Sequence, residues 1–182
     1  MKRVFLGIDL PDELKLKIEN LKLDYKLNHL PIKLVEKENS HIAIKFLDEL
    51  NDGQIKALTD IVEQTLSNFK SFEVSINDYL VFPDLERPRI LALKVISVNL
   101  EGLVKKLLNS FEPLDFIVQE ERPYTPHITL GRIKEKLTEL QTEKITSIKF
   151  EKKFYVGEIH LFESQLSEEG PVYNILKTFE LK

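Results

Sequence analysis

The chain has 182 residues, of which 42% are apolar, so it is long enough for one globular domain and too apolar to be disordered as a whole. Because it contains no cysteine, disulfides and thiolate metal sites are excluded, and the composition fits a reducing cytoplasm. The net charge of −4 argues against a protein that binds many phosphates along a nucleic acid, since such proteins carry an excess of basic residues.

The first half of the chain predicts a strand, a helix, a second strand and a second helix. Alternating apolar residues predict a strand from Lys2 to Ile8, and Pro11 followed by two acidic residues marks the start of a helix. A short extended piece at 32–35 precedes a strand from Ser40 to Phe46. Asn51 then signals the start of the second helix.

The second half has the same rhythm after an alternating strand at 72–76. It predicts a strand from Ile90 to Val95, a helix from Leu100 to Phe111 and a strand from Thr125 to Arg132. The last predicted elements are a weak helix at 137–143 and two closing strands, Phe154 to Phe162 and Tyr173 to Leu181, separated by a loop with Gly170 and Pro171.

This repeated order favours an α+β fold in which two antiparallel sheets flank a central cleft, with helices on the outside. We expect residues 1–182 to form a single domain of two related lobes, one contributing His41 and the other His127. If a two-fold axis relates the lobes, the two histidine strands lie side by side at the floor of the cleft.

Each of these two strands begins with a histidine, and side chains along a strand alternate between its faces. The face that opens to the cleft is therefore predicted to carry five side chains: His41, Ala43 and Lys45 of the first strand, and His127 and Thr129 of the second. The opposite face of the first strand, predicted to enter the core, carries Ile42, Ile44 and Phe46.

Two imidazoles in one cleft can divide acid and base work, because an unperturbed pKa of about 6.5 lets one ring be neutral while the other is protonated. In-line displacement at phosphorus needs this division, and the hydroxyl of Thr129 can donate to a phosphoryl oxygen. This chemistry requires no metal. No His-Glu-x-x-His or similar ligand spacing occurs, so we predict neither a metal site nor a cofactor. His29 and His160 are expected to be structural or exposed.

The two histidine motifs and their flanks resemble the 2H phosphoesterases, and within them the LigT-like RNA 2′,3′-cyclic phosphodiesterases, historically called 2′-5′ RNA ligases. One histidine motif of this kind is weak evidence, whereas two in this order with these flanks are specific. The resemblance covers nearly the whole chain and rests on these stretches: Val4–Pro11, Asn39–Leu47, Arg87–Leu91, Arg122–Arg132, Glu163–Leu166 and Gly170–Tyr173.

The resemblance implies hydrolysis of an RNA 2′,3′-cyclic phosphate end to a 2′-phosphate, with RNA 3′ ends, short oligonucleotides or nucleotides as partners. It assigns proton donation to the leaving O3′ to His41, activation of water to His127 and phosphate binding to Thr129. Ala43 stands where the family has threonine or serine, so one phosphate donor is missing. Because such a hydrogen bond contributes about 1.5–3 kcal/mol, we expect slower turnover, with water or Lys45 as the replacement donor.

Three further residues are candidates for substrate contact, each with a structural alternative. Arg132 matches a family arginine, but its parity places it away from the histidine face unless Gly131 permits a bulge, and an ion pair is the alternative. Arg89 either guards the mouth of the cleft or is solvated. Tyr124 either stacks on a base or seals the beginning of its strand.

Two other functions stay open at this point. A related enzyme that cleaves or joins 2′-5′-linked oligonucleotides, or opens a small cyclic nucleotide, uses the same two-histidine chemistry. A module that binds RNA ends or nucleotides and has lost efficient chemistry is favoured by Ala43. No stretch approaches the roughly 18 apolar residues of a membrane span, so we expect a cytoplasmic monomer with no membrane partner.

Overall fold

A computed structural model describes residues 1–119, 122–168 and 170–182. Within these residues, nine strands form one curled antiparallel sheet, accompanied by four α-helices and two short 3-10 helices at 27–29 and 37–39. In chain order the elements are β1 (Lys2–Asp9), α1 (Asp12–Asp24), β2 (Ile32–Leu34), β3 (His41–Leu50), α2 (Asp52–Leu66), β4 (Phe72–Phe82), β5 (Ile90–Ile96), α3 (Val98–Ser110), β6 (His127–Ile133), α4 (Glu139–Thr146), β7 (Glu151–Val156), β8 (Glu158–Ser167) and β9 (Gly170–Glu180).

The sheet has two wings that meet at the histidine strands. The strand order is β7-β4-β5-β6-β3-β1-β8-β9, and β2 pairs with the end of β6. We call β7-β4-β5-β6 the β6 wing and β3-β1-β8-β9 the β3 wing. Between β3 and β6 the register contains one pair, Ile42 with Ile128. The predicted α+β class with antiparallel pairing is confirmed, and the two predicted sheets are present as the two wings of one continuous sheet.

The two wings repeat the same plan. The order β1-α1-β3-α2 recurs as β5-α3-β6-α4, and within each wing the strand that precedes the histidine strand also pairs with it. This is the repeat that the sequence predicts. It places each histidine at the inner edge of its own wing.

The core lies between the sheet and the helices, on the face of the sheet opposite the cleft. The apolar stripes of α2 and α3 belong to the same buried hydrophobic cluster as Ile42 and Ile128 of the two histidine strands. Local polar contacts fix where these helices begin: the Asn51 side chain accepts from the Gln54 amide at 2.9 Å, and the Ser97 hydroxyl from the Leu100 amide at 3.3 Å. In the described part of the chain, no helix combines the length and apolar character needed to cross a membrane.

The prediction of one closing strand from Phe154 to Phe162 is wrong. β7 pairs with β4 at the outer edge of the β6 wing, whereas β8 lies beside β1 in the β3 wing, and the chain passes between them at Gly157. The predicted loop with Gly170 and Pro171 is also wrong, because both residues belong to β9 and pair with the end of β8. An alternating pattern is the same in both wings, so it does not reveal the crossing.

Candidate active site

The histidines flank the register pair that joins the wings. Ile42 and Ile128 are fully buried in the core, so the residues before and after each of them point to the opposite face of the sheet. Diagonal neighbours across an antiparallel pair lie about 7–8 Å apart, and the two histidines are diagonal neighbours. Extending the antiparallel register by one residue to either side of the single pair, Ile42 with Ile128, sets His41 opposite Thr129 and Ala43 opposite His127.

A cleft of about 520 Å³ opens over this junction. The structure brings five of the predicted site residues together in its lining: His41, Ala43, His127, Thr129 and Arg132. Lining side chains that sequence reasoning did not place there include Lys33 of β2, Phe46 of β3, Lys134 after β6 and Tyr173 of β9. The cleft is therefore bounded by both wings and by β2.

Both imidazoles are held in the same way. His41 Nδ1 lies 2.7 Å from the Asn39 carbonyl oxygen, and His127 Nδ1 lies 2.7 Å from the Thr125 carbonyl oxygen. Because a carbonyl oxygen only accepts, each Nδ1 carries the proton, which leaves Nε2 available to a substrate. Asn39 is itself fixed, since its side-chain amide donates to the Pro171 carbonyl of β9 at 2.7 Å.

Aromatic rings enclose His41 more fully than His127. The ring centroid of His41 is 4.9 Å from that of Phe5 and 5.3 Å from that of Tyr173, which stands perpendicular to it. The His127 ring packs against Phe82 at 4.8 Å. Burial lowers the pKa of His41; the hydrogen bond to Asn39 and the Asp9 carboxylate oppose that shift, while His127 and Lys15 add to it.

A β-bulge in β6 brings Arg132 onto the histidine face. The pairing of β6 with β5 slips by one residue at Leu130, and the alternation of side chains reverses beyond it. Arg132 is exposed and lines the cleft, so the alternative in which Gly131 permits a bulge is the correct one. Gly131 is needed there because β2 lies close: an added Cβ would be 2.5 Å from the Ile32 side chain and 2.8 Å from the Lys33 carbonyl oxygen.

A matching bulge in β3 overturns the predicted position of Lys45. The pairing of β3 with β1 slips by one residue at Ile44, so Lys45 turns away from the cleft and is only 8% exposed. The prediction that it shares a face with His41 and replaces the missing hydroxyl is therefore wrong. Phe46, predicted to enter the core, is 64% exposed and lines the cleft instead. It lies five residues after its histidine, as Arg132 does in β6.

Tyr124 ties the two histidine strands together. Its hydroxyl donates to the Ala43 carbonyl of β3 at 2.9 Å, and its ring lies beside α3, away from the cleft. Burial raises the pKa of this hydroxyl well above its usual value. Stacking of Tyr124 on a base is therefore contradicted, and its alternative, sealing the beginning of β6, describes its position.

Arg89 lies outside the cleft. It is exposed and lines a second hollow of about 690 Å³, which shares Ile90, Arg132 and Lys134 with the cleft. No cluster of three or more histidine, aspartate or glutamate side chains in the described ranges is placed to hold a metal ion.

Among the cleft residues that were not predicted, some are indicated by a pattern in the sequence and others are not. Phe46 and Arg132 share the same spacing from their histidines, and that repeat was a usable sign that both lie on one face. Lys33 carries no such sign, because its position follows from the pairing of β2 with β6, where it stands opposite Arg132.

Comparison with known proteins places the chain in a family. It matches the family described as the 2′-5′ RNA ligase superfamily over residues 10–168. A protein of Methanothermobacter thermautotrophicus is 30% identical over 98% of both chains. A protein of Methanocaldococcus jannaschii is 32% identical over 96% of this chain and 98% of its own. Both relatives are named RNA 2′,3′-cyclic phosphodiesterase.

Solved structures show the same fold. E. coli LigT complexed with 3′-AMP has a TM-score of 0.84 at 25% identity, over 100% of this chain and 98% of LigT. TT0787 of Thermus thermophilus has a TM-score of 0.86 at 23% identity, over 98% of this chain and 97% of its own. With the match over most of its length and relatives that share about a third of its residues, the chain belongs to the 2′-5′ RNA ligase superfamily.

Proposed function

We propose that this protein hydrolyses the 2′,3′-cyclic phosphate at the 3′ end of RNA to a 2′-phosphate, without a metal ion. The observation that carries the proposal is the placement of His41, His127 and Thr129 in one cleft, at the junction of the wings. The names of the two relatives, RNA 2′,3′-cyclic phosphodiesterase, support the same substrate.

In the proposed reaction the cyclic phosphate lies between the two imidazoles. His127 Nε2 takes a proton from water as the water oxygen attacks phosphorus, and the P–O3′ bond breaks as His41 Nε2 donates a proton to O3′. The products are a 2′-phosphate and a free 3′-hydroxyl. One proton then passes from His127 to His41 through solvent, which restores both rings. Because each Nδ1 donates to a carbonyl oxygen, each Nε2 is left for the proton transfer.

The phosphoryl oxygens are held from the β6 wing. Thr129 lines the cleft together with His41, and Arg132 reaches the same cleft through the bulge. An arginine can donate two parallel hydrogen bonds to a phosphate, and donors aimed at the charge that develops in the transition state lower the barrier most. Ala43 offers no such donor from the β3 wing.

The lowered pKa of His41 gives the mechanism a distinctive pH dependence. The acid must be protonated, so activity falls as pH rises through its pKa, and in the free protein this pKa lies below the usual 6.5. An anionic phosphate beside the ring opposes the effect of burial and raises the pKa in the complex. We expect the alkaline limb of kcat/KM to lie at lower pH than the alkaline limb of kcat; coincident limbs would contradict this assignment.

The test of the function is hydrolysis of an RNA oligonucleotide that ends in a 2′,3′-cyclic phosphate. We expect wild type to form the 2′-phosphate in the presence of EDTA, and His41→Ala and His127→Ala each to lose about 10²–10⁴-fold in kcat. Loss of wild-type activity with chelator, restored by zinc, would overturn the metal-free mechanism.

A substrate with sulfur in place of O3′ separates the two histidine roles. A thiolate leaves without protonation far more readily than an alkoxide, since a thiol is far more acidic than an alcohol; the cysteine thiol, for example, has a pKa of about 8.5. His41→Ala should therefore regain most of its rate on the sulfur substrate, whereas His127→Ala, which lacks the base, should stay slow. If His127→Ala regained its rate on the sulfur substrate and His41→Ala did not, the acid and base roles of the two rings would have to be exchanged.

A second candidate is a module that binds RNA ends with little turnover. The observation that favours it is Ala43, which lines the cleft with no hydroxyl to offer a phosphate. Under this candidate, wild type and His127→Ala show the same negligible hydrolysis while a nucleoside 2′-phosphate still binds to both.

A further inference from the structure

A basic hollow adjoins the cleft on the side of the β6 wing. It is the 690 Å³ hollow that contains Arg89, formed by the loop 83–89 and the residues that follow β6. Ile90, Arg132 and Lys134 line both spaces, so hollow and cleft form one continuous surface. Its charged lining consists of Arg87, Arg89, Arg132, Lys134 and Lys136, with Glu86 and Glu135.

These five cations stand out in a chain whose net charge is −4. None of them takes part in an ion pair with another described residue, although two glutamates line the same hollow. Cations gathered in a concave surface repel one another and focus a positive potential, which an entering anion neutralises. The hollow therefore has the charge and shape to receive a polyanion.

The loop that presents two of the cations is fixed by hydrogen bonds. The Asp84 carboxylate accepts from the amides of Glu86 and Arg87, both at 2.9 Å. The Arg89 amide donates to the Phe82 carbonyl and the Arg89 carbonyl accepts from the Ile133 amide, both at 2.8 Å. Because the backbone is held to β4 and β6, a ligand meets guanidinium groups on an ordered support.

We infer that the basic hollow binds the phosphodiester immediately 5′ to the reacting nucleotide, so that an oligonucleotide is a better substrate than a cyclic mononucleotide. The inference rests on the proposed function. The terminal nucleotide occupies the cleft, and its 5′ phosphate continues the chain toward the cations that the two spaces share. The acidic remainder of the surface limits the interaction to one or two phosphates, because affinity for a longer strand needs a basic track.

The test compares two substrates on one variant, Arg87→Ala with Lys136→Ala, which removes cations that line the hollow and not the cleft. The substrates are cytidine 2′,3′-cyclic phosphate and a four-nucleotide RNA with the same cyclic end. At low salt we expect kcat/KM on the RNA to fall about tenfold, mainly through KM, and kcat/KM on the mononucleotide to change less than twofold. The slope of log kcat/KM against log salt should decrease by about 0.7 for each RNA phosphate that the variant no longer neutralises.

Lys70→Ala with Lys105→Ala is the matched control. Both lysines are exposed, neither lines the cleft or the hollow, and the change in net charge is the same. We expect this variant to retain the wild-type rates on both substrates. If the hollow variant loses equally on both substrates, loses on neither, or loses no more than the control, the inference is wrong and the proposed function stands. If wild type cleaves neither substrate, the proposed function fails and the inference with it.

Discussion

The two histidine strands are unequal at the junction, because the cleft residue two positions after the histidine is Thr129 in β6 and Ala43 in β3. A hydroxyl at position 43 would lie on the cleft face and donate to the phosphate from the β3 wing. Since a hydrogen bond to a charged group contributes about 1.5–3 kcal/mol, we expect Ala43→Thr to raise kcat about tenfold and Thr129→Ala to lower it by at least as much. The measurement is kcat on a cyclic-phosphate RNA; an unchanged rate for Ala43→Thr would mean that water already fills the gap.

His160 connects the stability of the fold to pH. It is 6% exposed in β8, with Nδ1 at 3.1 Å from the Thr178 hydroxyl oxygen. Burial lowers its pKa, and Glu158 and Asp9 only partly oppose the shift. The unfolded chain therefore binds a proton more readily, so the stability due to neutral His160 is present above about pH 6.5 and is lost as pH falls.

His160→Asn tests this linkage. Asparagine keeps a polar partner for Thr178 but does not titrate. Between pH 7.5 and pH 5 we expect the free energy of unfolding, measured in urea, to fall more for wild type than for the variant. Parallel pH profiles for the two proteins would show that His160 does not carry the effect.

At the scale of elements, the two bulges decide which side chains face the substrate. Gly131→Ala would push a methyl group into β2, at 2.5 Å from Ile32 and 2.8 Å from the Lys33 carbonyl oxygen. We expect a loss of about 1–3 kcal/mol in the free energy of unfolding, as for overpacked cores, with a lower kcat because Arg132 moves with its bulge. Urea denaturation and the hydrolysis assay measure the two effects.

Gly102→Ala is the control for that substitution. Gly102 lies in the interior of α3, and nothing lies within 4 Å of an added Cβ. Alanine there should stabilise the fold by about 0.5–1 kcal/mol and leave kcat unchanged. If both glycine variants behaved alike, close approach of β2 would not explain Gly131.

Beyond the two bulges, the sequence pattern no longer predicts which face of the sheet a side chain takes. Alternation places His41, Ala43, His127 and Thr129 correctly, because these residues lie within two positions of the junction. It fails for Lys45 and Phe46, since a slip in pairing with β1 reverses the faces after Ile44. A bulge depends on how a strand pairs with its partner, and the residue pattern of a single strand contains no information about that pairing. The crossing at Gly157 was missed for a related reason.

At the scale of the whole molecule, the two wings repeat one order of elements but form unlike walls of the cleft. The β3 wing contributes Phe46 and Tyr173 to the lining, and the buried Phe5 ring packs against both of them and against His41, while the β6 wing and β2 contribute Arg132, Lys134 and Lys33. A nucleotide has a matching asymmetry, with a flat base and a charged phosphate. Corresponding positions in the two wings thus carry side chains of different chemistry. A site that matches a nucleotide forms only when the two wings come together.

The assembly of the two wings depends on a junction that contains one register pair. Tyr124 helps to hold this junction, and it is therefore a positioning residue. Its hydroxyl bonds to the Ala43 carbonyl at 2.9 Å and so links the segment before β6 to β3. Tyr124→Phe should lower the free energy of unfolding by about 1 kcal/mol. Because the two imidazoles then hold their separation less well, kcat should fall several-fold while KM stays near the wild-type value.

Tyr25→Phe is the matched comparison for this prediction. The Tyr25 hydroxyl also bridges distant segments, donating to the Ser147 carbonyl at 3.2 Å and accepting from the Lys149 amide at 2.9 Å, but it lies away from the cleft. Its loss should cost similar stability and leave kcat unchanged. If both tyrosine variants lose activity in proportion to stability, the Tyr124 hydroxyl is only a structural bond; if Tyr124→Phe alone loses kcat, the spacing of the wings sets the rate.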